Sequence, residues 1–255
     1  AGKLSKKFMV ANWKMNPTTL DEAKRIYKST KTIASKLKNV SVIACPPFVY
    51  TSAFLKTKAE SSVVIGVQNA YFEAQGSYTG EISPLMLKDL GVKYAIIGHS
   101  ERRVRGETDE MIAKKVQLLL ETGIKVILCV GEKERNEDGS HLDFIKNQIK
   151  SSLDKVNSKN ISNLLVAYEP VWAIGAKEAM DSASIYEMSL FIKKVLSDIY
   201  GHEEAISTPI LYGGSVNFRN ASEIFITGKV DGLLVGRESV NPPGFTELLK
   251  AVDSI

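Results

Sequence analysis

Residues 164–175 read LLVAYEPVWAIG, a short apolar run followed by a glutamate, a proline and a glycine. The apolar run is too short for a typical helix and lacks polar alternation, which predicts a strand buried on both faces. Similar runs recur along the whole chain. The complete set of eight predicted strands is 8–11, 42–44, 63–67, 94–97, 126–130, 164–167, 210–212 and 232–235.

Amphipathic stretches with helical spacing lie between these strands, at residues 19–37, 109–122, 142–156 and 184–200. N-caps or first-turn acids are predicted at Asp21, Asp109 and either Asp181 or Ser182. Glycines that can end helices follow several of the stretches, at Gly91, Gly123, Gly201 and Gly228.

Strands that alternate with helices indicate an α/β fold with a parallel sheet. Eight strands in 255 residues favour a closed (β/α)8 barrel, and an open doubly wound sheet is the alternative. No linker or shift in composition divides the chain, and α/β barrels of this length are commonly one domain. We therefore expect a single domain over residues 1–255.

The composition is that of a soluble globular protein, with 44% hydrophobic and 24% charged residues. The net charge of +4 is spread along the chain, so no basic patch for nucleic acid is predicted. We identify neither a membrane-spanning run nor a signal peptide. Cys45 and Cys129 lie in apolar runs, which favours buried thiols in a reducing compartment. These features predict a cytoplasmic protein.

Polar residues follow three of the strands, at the end where barrels form their active sites: Lys14, His99 and Glu169. Each has a simpler interpretation, as a solvated lysine, a core histidine or part of a tight turn. Histidine can exchange a proton near neutral pH. A carboxylate that ends an apolar strand should have a raised pKa, which would make it a better base.

Glycine-containing loops follow the last two strands, as Gly213-Gly214-Ser215 and Gly236-Arg237. Such loops let backbone N–H groups approach an anion, and barrels often bind phosphate after strands seven and eight. One Gly-Gly pair is weak evidence, because turns use it widely. No metal-ligand spacing or nucleotide-binding glycine motif occurs, so we expect chemistry by side chains alone, without a metal or cofactor.

Seven motifs together resemble one known family: NWKMN, TGEIS, GHSERR, CVGE, AYEPVWAIG, YGGSV and VDGLLVG. They cover the chain from Asn12 to beyond Gly236 and resemble the triosephosphate isomerase family. The resemblance implies a (β/α)8 TIM barrel that interconverts dihydroxyacetone phosphate and glyceraldehyde 3-phosphate, a step of glycolysis and gluconeogenesis, without a cofactor.

The resemblance also implies residue roles. Glu169 would be the base that moves a proton between C1 and C2, and His99 would be the neutral group that polarises the carbonyl. Lys14 and Asn12 would stabilise charge on the substrate oxygens. Glu101 would lie beside the site, as a proton relay or as a support for Lys14.

Phosphate binding is assigned by the same resemblance to Gly175, Ser215 and Gly236, and a closing lid to the segment after Glu169. Glu132 would lie near Trp172 and help to hold this lid. The lid residues would be Pro170, Val171, Trp172, Ala173, Ile174, Gly175, Ala176, Lys177 and Glu178.

The family is usually dimeric. Residues 68–81, with Thr79 near the tip, resemble the loop that inserts into the partner subunit, and a surface loop folded on itself is the alternative. The expected partners are therefore a triose phosphate and a second copy of the chain, with neither nucleic acid nor membrane.

The chain departs from the family pattern at the predicted lid hinge and in the last phosphate loop, among other places. Ala176-Lys177-Glu178 stands where a Thr-Gly-Lys hinge is usual, which removes a permissive glycine. Arg237 stands where the last phosphate loop usually has a second glycine. If the backbone there needs a positive φ, the arginine is strained. If it does not, the N–H still binds and the side chain adds charge near the phosphate.

Two other functions are alternatives to the isomerase. A different phosphate-binding barrel enzyme would keep the glycine loops but would have no reason to keep NWKMN and YEPVWAIG together. A non-catalytic protein derived from this fold would be expected to lose Glu169, His99 or Lys14, and all three are present.

Overall fold

The computed structural model describes residues 5–55, 61–177 and 179–255. Eight parallel strands pair in chain order, and the eighth pairs with the first to close a barrel. This confirms the predicted (β/α)8 barrel over the open sheet. The strands are Lys7–Asn12 (β1), Val40–Cys45 (β2), Val63–Val67 (β3), Tyr94–Ile97 (β4), Lys125–Val130 (β5), Leu164–Tyr168 (β6), Ile210–Gly213 (β7) and Gly232–Val235 (β8).

Helices surround the barrel, and none that the structure describes is long and apolar enough to cross a membrane. Short 3-10 turns cover Ser158–Asn163, Val171–Ala173 and Arg237–Val240. The α-helices are Leu20–Ala34 (α1), Phe48–Leu55 (α2), Pro84–Leu90 (α3), Ser100–Arg103 (α4), Asp109–Thr122 (α5), Ser140–Ser152 (α6), Ser182–Tyr200 (α7), His202–Ser207 (α8), Ala221–Ile226 (α9) and Pro242–Asp253 (α10).

Helix boundaries follow local capping. Thr108 accepts a hydrogen bond from the N–H of Met111 and starts α5, while a left-handed Gly123 ends it, so the predicted span 109–122 is confirmed. The predicted span 142–156 is wrong at both ends. Helix α6 begins directly after the left-handed Gly139, and Leu153 leaves helical dihedrals four residues earlier than expected.

The apolar residues of each strand divide between two layers. Alternate side chains such as Val10, Ile127 and Leu234 fill the barrel interior, and their neighbours pack outward against the helices. This double burial is why the strands appear in the sequence as nearly continuous apolar runs. Cys45 and Cys129 are buried free thiols in the interior layer, as predicted.

A buried ion pair joins α5 to the segment just before it, and a hydrogen bond from the same lysine reaches the segment after β3. Lys115 Nζ donates to Glu107 Oε2 at 2.7 Å and to Asn69 Oδ1 at 3.0 Å. Both charged side chains are only 2% exposed. Burial by itself would raise the pKa of the Glu107 carboxyl, but the hydrogen bonds from Lys115 and Arg102 lower it below its ordinary value. The carboxylate is therefore ionised inside the protein.

Replacing Lys115 by Met should lower the free energy of unfolding by about 3 kcal/mol, because the buried charge of Glu107 loses its main partner. A lowered pKa stabilises the fold above the ordinary pKa of glutamate, and this contribution disappears as the pH falls through the folded value. The difference between wild type and variant should therefore shrink in acid. Urea unfolding at equal protein concentration measures both effects.

Lys114→Met is the matched control, because Lys114 contacts Glu110 at 3.5 Å on the surface of the same helix. Its free energy of unfolding should stay within about 0.5 kcal/mol of the wild-type value. A loss in Lys115→Met no larger than that of the control would contradict the stabilising role of the pair.

Candidate active site

Four of the predicted site residues meet at the carboxyl end of the barrel. Asn12 ends β1, Lys14 follows it, His99 caps α4 after β4, and Glu169 follows β6. All four line one cavity of about 310 Å³. The same cavity is bordered by the predicted phosphate-binding residues Gly175, Ser215, Gly236 and Arg237.

Lys14 reaches this cavity through a left-handed backbone, with φ of 56°. Such a conformation costs an L-residue roughly 1–2 kcal/mol, so it needs support. Its N–H donates to Asn12 Oδ1 at 3.0 Å, and its carbonyl accepts from Gln68 Nε2 at 2.8 Å. The ammonium lies 3.0 Å from Glu101 Oε1. Glu101 thus contacts Lys14 without lining the cavity.

His99 presents a neutral donor to the cavity. Its Nδ1 accepts the backbone N–H of Glu101 at 3.1 Å, at the start of α4. Because an N–H can only donate, Nδ1 carries a lone pair, and the proton of the neutral ring is on Nε2. Nε2 lies 3.2 Å from Glu169 Oε1, and no described acceptor is aligned with its N–H.

Glu169 is buried, with 8% of its surface exposed. Its N–H donates to the carbonyl of Val130 at 2.8 Å, and its Oε1 accepts from Ser100 Oγ at 3.0 Å. Burial raises the pKa of this carboxyl, but the adjacent His99 ring, the hydrogen bond from Ser100 and the charge of Lys14 outweigh burial, so the pKa lies below its ordinary value. The raised pKa predicted for Glu169 is therefore wrong.

The side of the cavity that is predicted to bind phosphate contains glycines at Gly175, Gly214 and Gly236. Gly175 is left-handed, with φ of 74°. A Cβ on Gly236 would lie 3.2 Å from Lys14 Cε, so glycine leaves room for the lysine. Among the residues described, positive φ outside glycine occurs at Lys14 and Lys229. Arg237 therefore has no positive φ, and the interpretation that its backbone is strained is wrong.

Residues at both ends of the predicted lid form hydrogen bonds to neighbouring loops and strands of the barrel. Trp172 Nε1 donates to Glu132 Oε1 at 3.3 Å, so the predicted proximity of these residues is confirmed. At the far end, Ser215 Oγ donates to the carbonyl of Ala176, and the N–H of Met180 donates to the Tyr212 hydroxyl at 3.1 Å. Glu178, also predicted in the lid, lies outside the described residues.

Thr79 lies in the exposed loop between β3 and α3 and is not among the residues that line the cavity. The rings of Tyr71 and Phe72 stack in this loop at 4.2 Å, and Tyr78 packs against Tyr71 at 5.0 Å.

Across residues 5–55, 61–177 and 179–255, no three His, Cys, Asp or Glu side chains cluster so that they could hold a metal ion.

Comparison with known proteins identifies the fold family. The family model of triosephosphate isomerase matches residues 7–252. The chain belongs to the triosephosphate isomerase family. The chain is 41% identical to the triosephosphate isomerase of Dehalococcoides mccartyi over 95% of this chain and 94% of that protein. It is 38% identical to that of Dictyoglomus thermophilum and 41% identical to that of Thermodesulfovibrio yellowstonii, over 97% of this chain and 100% of each relative.

Two side chains of this site were not singled out from the sequence. Ser100 follows His99 inside GHSERR, and Gln68 follows β3, a strand without a predicted catalytic residue at its end. The barrel rule that site residues follow strands could have pointed to Gln68.

Replacing Ser100 by Ala should raise the pKa of the Glu169 carboxyl, because a donor to its ionised form is lost. Titration of a protein labelled with ¹³C at glutamate carboxyls measures this pKa, and the spectrum of Glu169→Gln assigns the signal. Ser152→Ala is the control, since this buried hydroxyl lies on α6 and is not among the groups that shift Glu169. An unchanged Glu169 pKa in Ser100→Ala would refute this account.

Proposed function

We propose that the protein is an aldose–ketose isomerase that interconverts dihydroxyacetone phosphate and D-glyceraldehyde 3-phosphate through an enediolate. One observation carries the proposal: a buried, ionised carboxylate, a neutral imidazole donor and a lysine converge on a cavity edged by glycine loops. Membership of the triosephosphate isomerase family supports the same reaction.

Glu169 acts as the base in this proposal. Its lowered pKa keeps it ionised at neutral pH, so it can accept a proton from one substrate carbon and return it to the next. Ser100 holds the carboxylate before substrate binds. Because the carboxylate is partly desolvated, it loses little hydration when it takes the carbon-bound proton.

Negative charge then develops on the substrate oxygens. His99 Nε2–H and the Lys14 ammonium are donors that strengthen as this charge grows, which lowers the barrier more than it stabilises bound substrate. Asn12 holds the Lys14 backbone and adds its side-chain amide to the cavity. Glu101, at 3.0 Å from the Lys14 ammonium, serves as its support in preference to a proton relay.

Phosphate is bound in this proposal by backbone N–H groups of Gly175, Ser215 and Gly236, with the Ser215 hydroxyl and the Arg237 side chain beside them. The lid from Pro170 to Glu178 closes over the substrate. Closure matters because an enediolate exposed to water can expel its phosphate, and a dry site also strengthens the contacts to the developing charge.

The working form in this proposal is a cytoplasmic homodimer, with Thr79 near the tip of a loop that enters the partner. Exposed apolar side chains on this side of the barrel support a surface that a second subunit covers. Met15 follows β1 and is 91% exposed, Val49 follows β2, and Val104 follows β4. The loop of residues 68–81 follows β3, between them. Buried free thiols at Cys45 and Cys129 are compatible with a reducing compartment.

The deciding experiment is a coupled assay of glyceraldehyde 3-phosphate isomerisation, on protein shown by sedimentation to be folded and dimeric. Glu169→Gln should lower kcat by about 10²- to 10⁴-fold, because the base is lost while the cavity keeps its shape. Glu110→Gln is the matched control, since Glu110 lies on the outer surface of α5. Negligible wild-type turnover would reject the isomerase in favour of a phosphate-binding protein without catalysis.

Replacing Arg237 by Gly should raise KM by about 2- to 5-fold with little change in kcat, because an exposed charge beside the phosphate is lost. The effect should weaken as salt is added, since the contact is screened. Arg237→Lys keeps the charge, so its KM should lie between those of wild type and Arg237→Gly. A KM that is unchanged or lower in Arg237→Gly would argue against a phosphate-binding role.

A further inference from the structure

Arg103, the last residue of α4, binds three acceptors behind the cavity. Its Nε donates to the carbonyl of Gly98 at 2.7 Å, and its Nη2 donates to the carbonyl of Cys129 at 3.0 Å. Its Nη1 donates to Asp109 Oδ1 at 2.6 Å. The side chain is 14% exposed. A single guanidinium therefore connects the end of β4, the end of β5 and the start of α5.

These carbonyls lie where the pairing of two strands stops. The last pair between β4 and β5 is Ile97 with Leu128, whereas β5 continues beside β6 to Val130. Gly98 and Cys129 are the next residues on the two strands, and Gly98 turns away with φ of 77°. The guanidinium donates to both carbonyls and so links the two strands one residue beyond their last backbone pair.

The two residues bound by Arg103 adjoin the chemical groups. Gly98 directly precedes His99. Cys129 directly precedes Val130, whose carbonyl accepts the N–H of Glu169 at 2.8 Å. His99 is thus one residue away from an Arg103 acceptor, and Glu169 is one residue and one hydrogen bond away from the other; their imidazole and carboxylate lie 3.2 Å apart.

The space for the guanidinium is also built into the fold. A Cβ on Gly98 would lie 2.9 Å from Arg103 Nη2, so glycine allows both the left-handed turn and the close approach. Arg103 shares a small cavity with Ser100 and Glu169, behind the carboxylate, and it is not among the residues that line the substrate cavity.

We propose that Arg103 is a positioning residue for the isomerisation, which sets the separation of His99 and Glu169 without touching substrate. This inference rests on the proposed function. A planar fork that binds two carbonyls and a carboxylate at fixed angles cannot be reproduced by an ammonium on a flexible stem. Lysine at this position therefore keeps the charge but loses the geometry.

The test compares Arg103→Met and Arg103→Lys with wild type in the isomerase assay, with thermal unfolding measured on each protein. Arg103→Met should lower kcat by about 10- to 100-fold, because misplacing catalytic groups by an ångström costs this much. KM should stay within about 2-fold, since the phosphate contacts are untouched. Arg103→Lys should recover part of the lost kcat.

Asp109→Asn is the matched control, because it weakens the outer contact of Arg103 and leaves both carbonyl contacts in place. Its kcat should stay within about 2-fold of wild type even if its melting temperature falls. A purely structural Arg103 would instead lower the melting temperature in all three variants and leave the kcat of folded enzyme unchanged, which would overturn the proposal.

If Arg103→Met does not fold, Arg103→Lys decides the question: wild-type kcat in that folded variant would overturn the proposal, and a reduced kcat at unchanged KM would support it. An inactive wild type would instead signal failure of the proposed function. Active wild type with unaffected Arg103 variants would refute only the positioning role.

Discussion

The site depends on one constraint, a carboxylate that must remain ionised while it is almost fully buried. Glu169 ends an apolar strand, where burial favours its neutral form. Groups from the ends of β4 and β1 reverse this preference, because Ser100 and His99 contact the carboxylate and Lys14 adds its charge. Barrel closure is what brings these strand ends around a single cavity.

Other residues at the carboxyl end of the barrel hold Lys14 and His99 in place. Asn12 and Gln68 stabilise the left-handed backbone of Lys14, and the backbone N–H of Glu101 selects the tautomer of His99. Gly98 leaves room for the side chain of Arg103, and Gly236 leaves room for that of Lys14. The chemistry of the site therefore depends as much on backbone conformation as on the identity of its charged side chains.

The strands could be predicted from the sequence because residues buried on both faces leave no polar interruption, and the motifs resembled one family in order and spacing. The pKa of Glu169 could not, because its direction depends on Ser100, which lies 69 positions away and meets it only after the barrel closes. Arg237 was ambiguous for a related reason: its backbone φ is not visible in the residue type. The end of α6 was misplaced because Leu153 fits the apolar pattern but leaves helical dihedrals.

The backbone of Lys14 has a consequence for anyone who wishes to transplant this chemistry. An L-residue held at φ of 56° relaxes to an ordinary conformation unless its surroundings prevent it. Grafting the lysine alone onto another barrel would aim the ammonium in a different direction. The transferable unit is the lysine together with Asn12 and Gln68, a set of neighbours from two different strand ends. Engineering that copies side chains and neglects these supports would reproduce the residue types and lose the site.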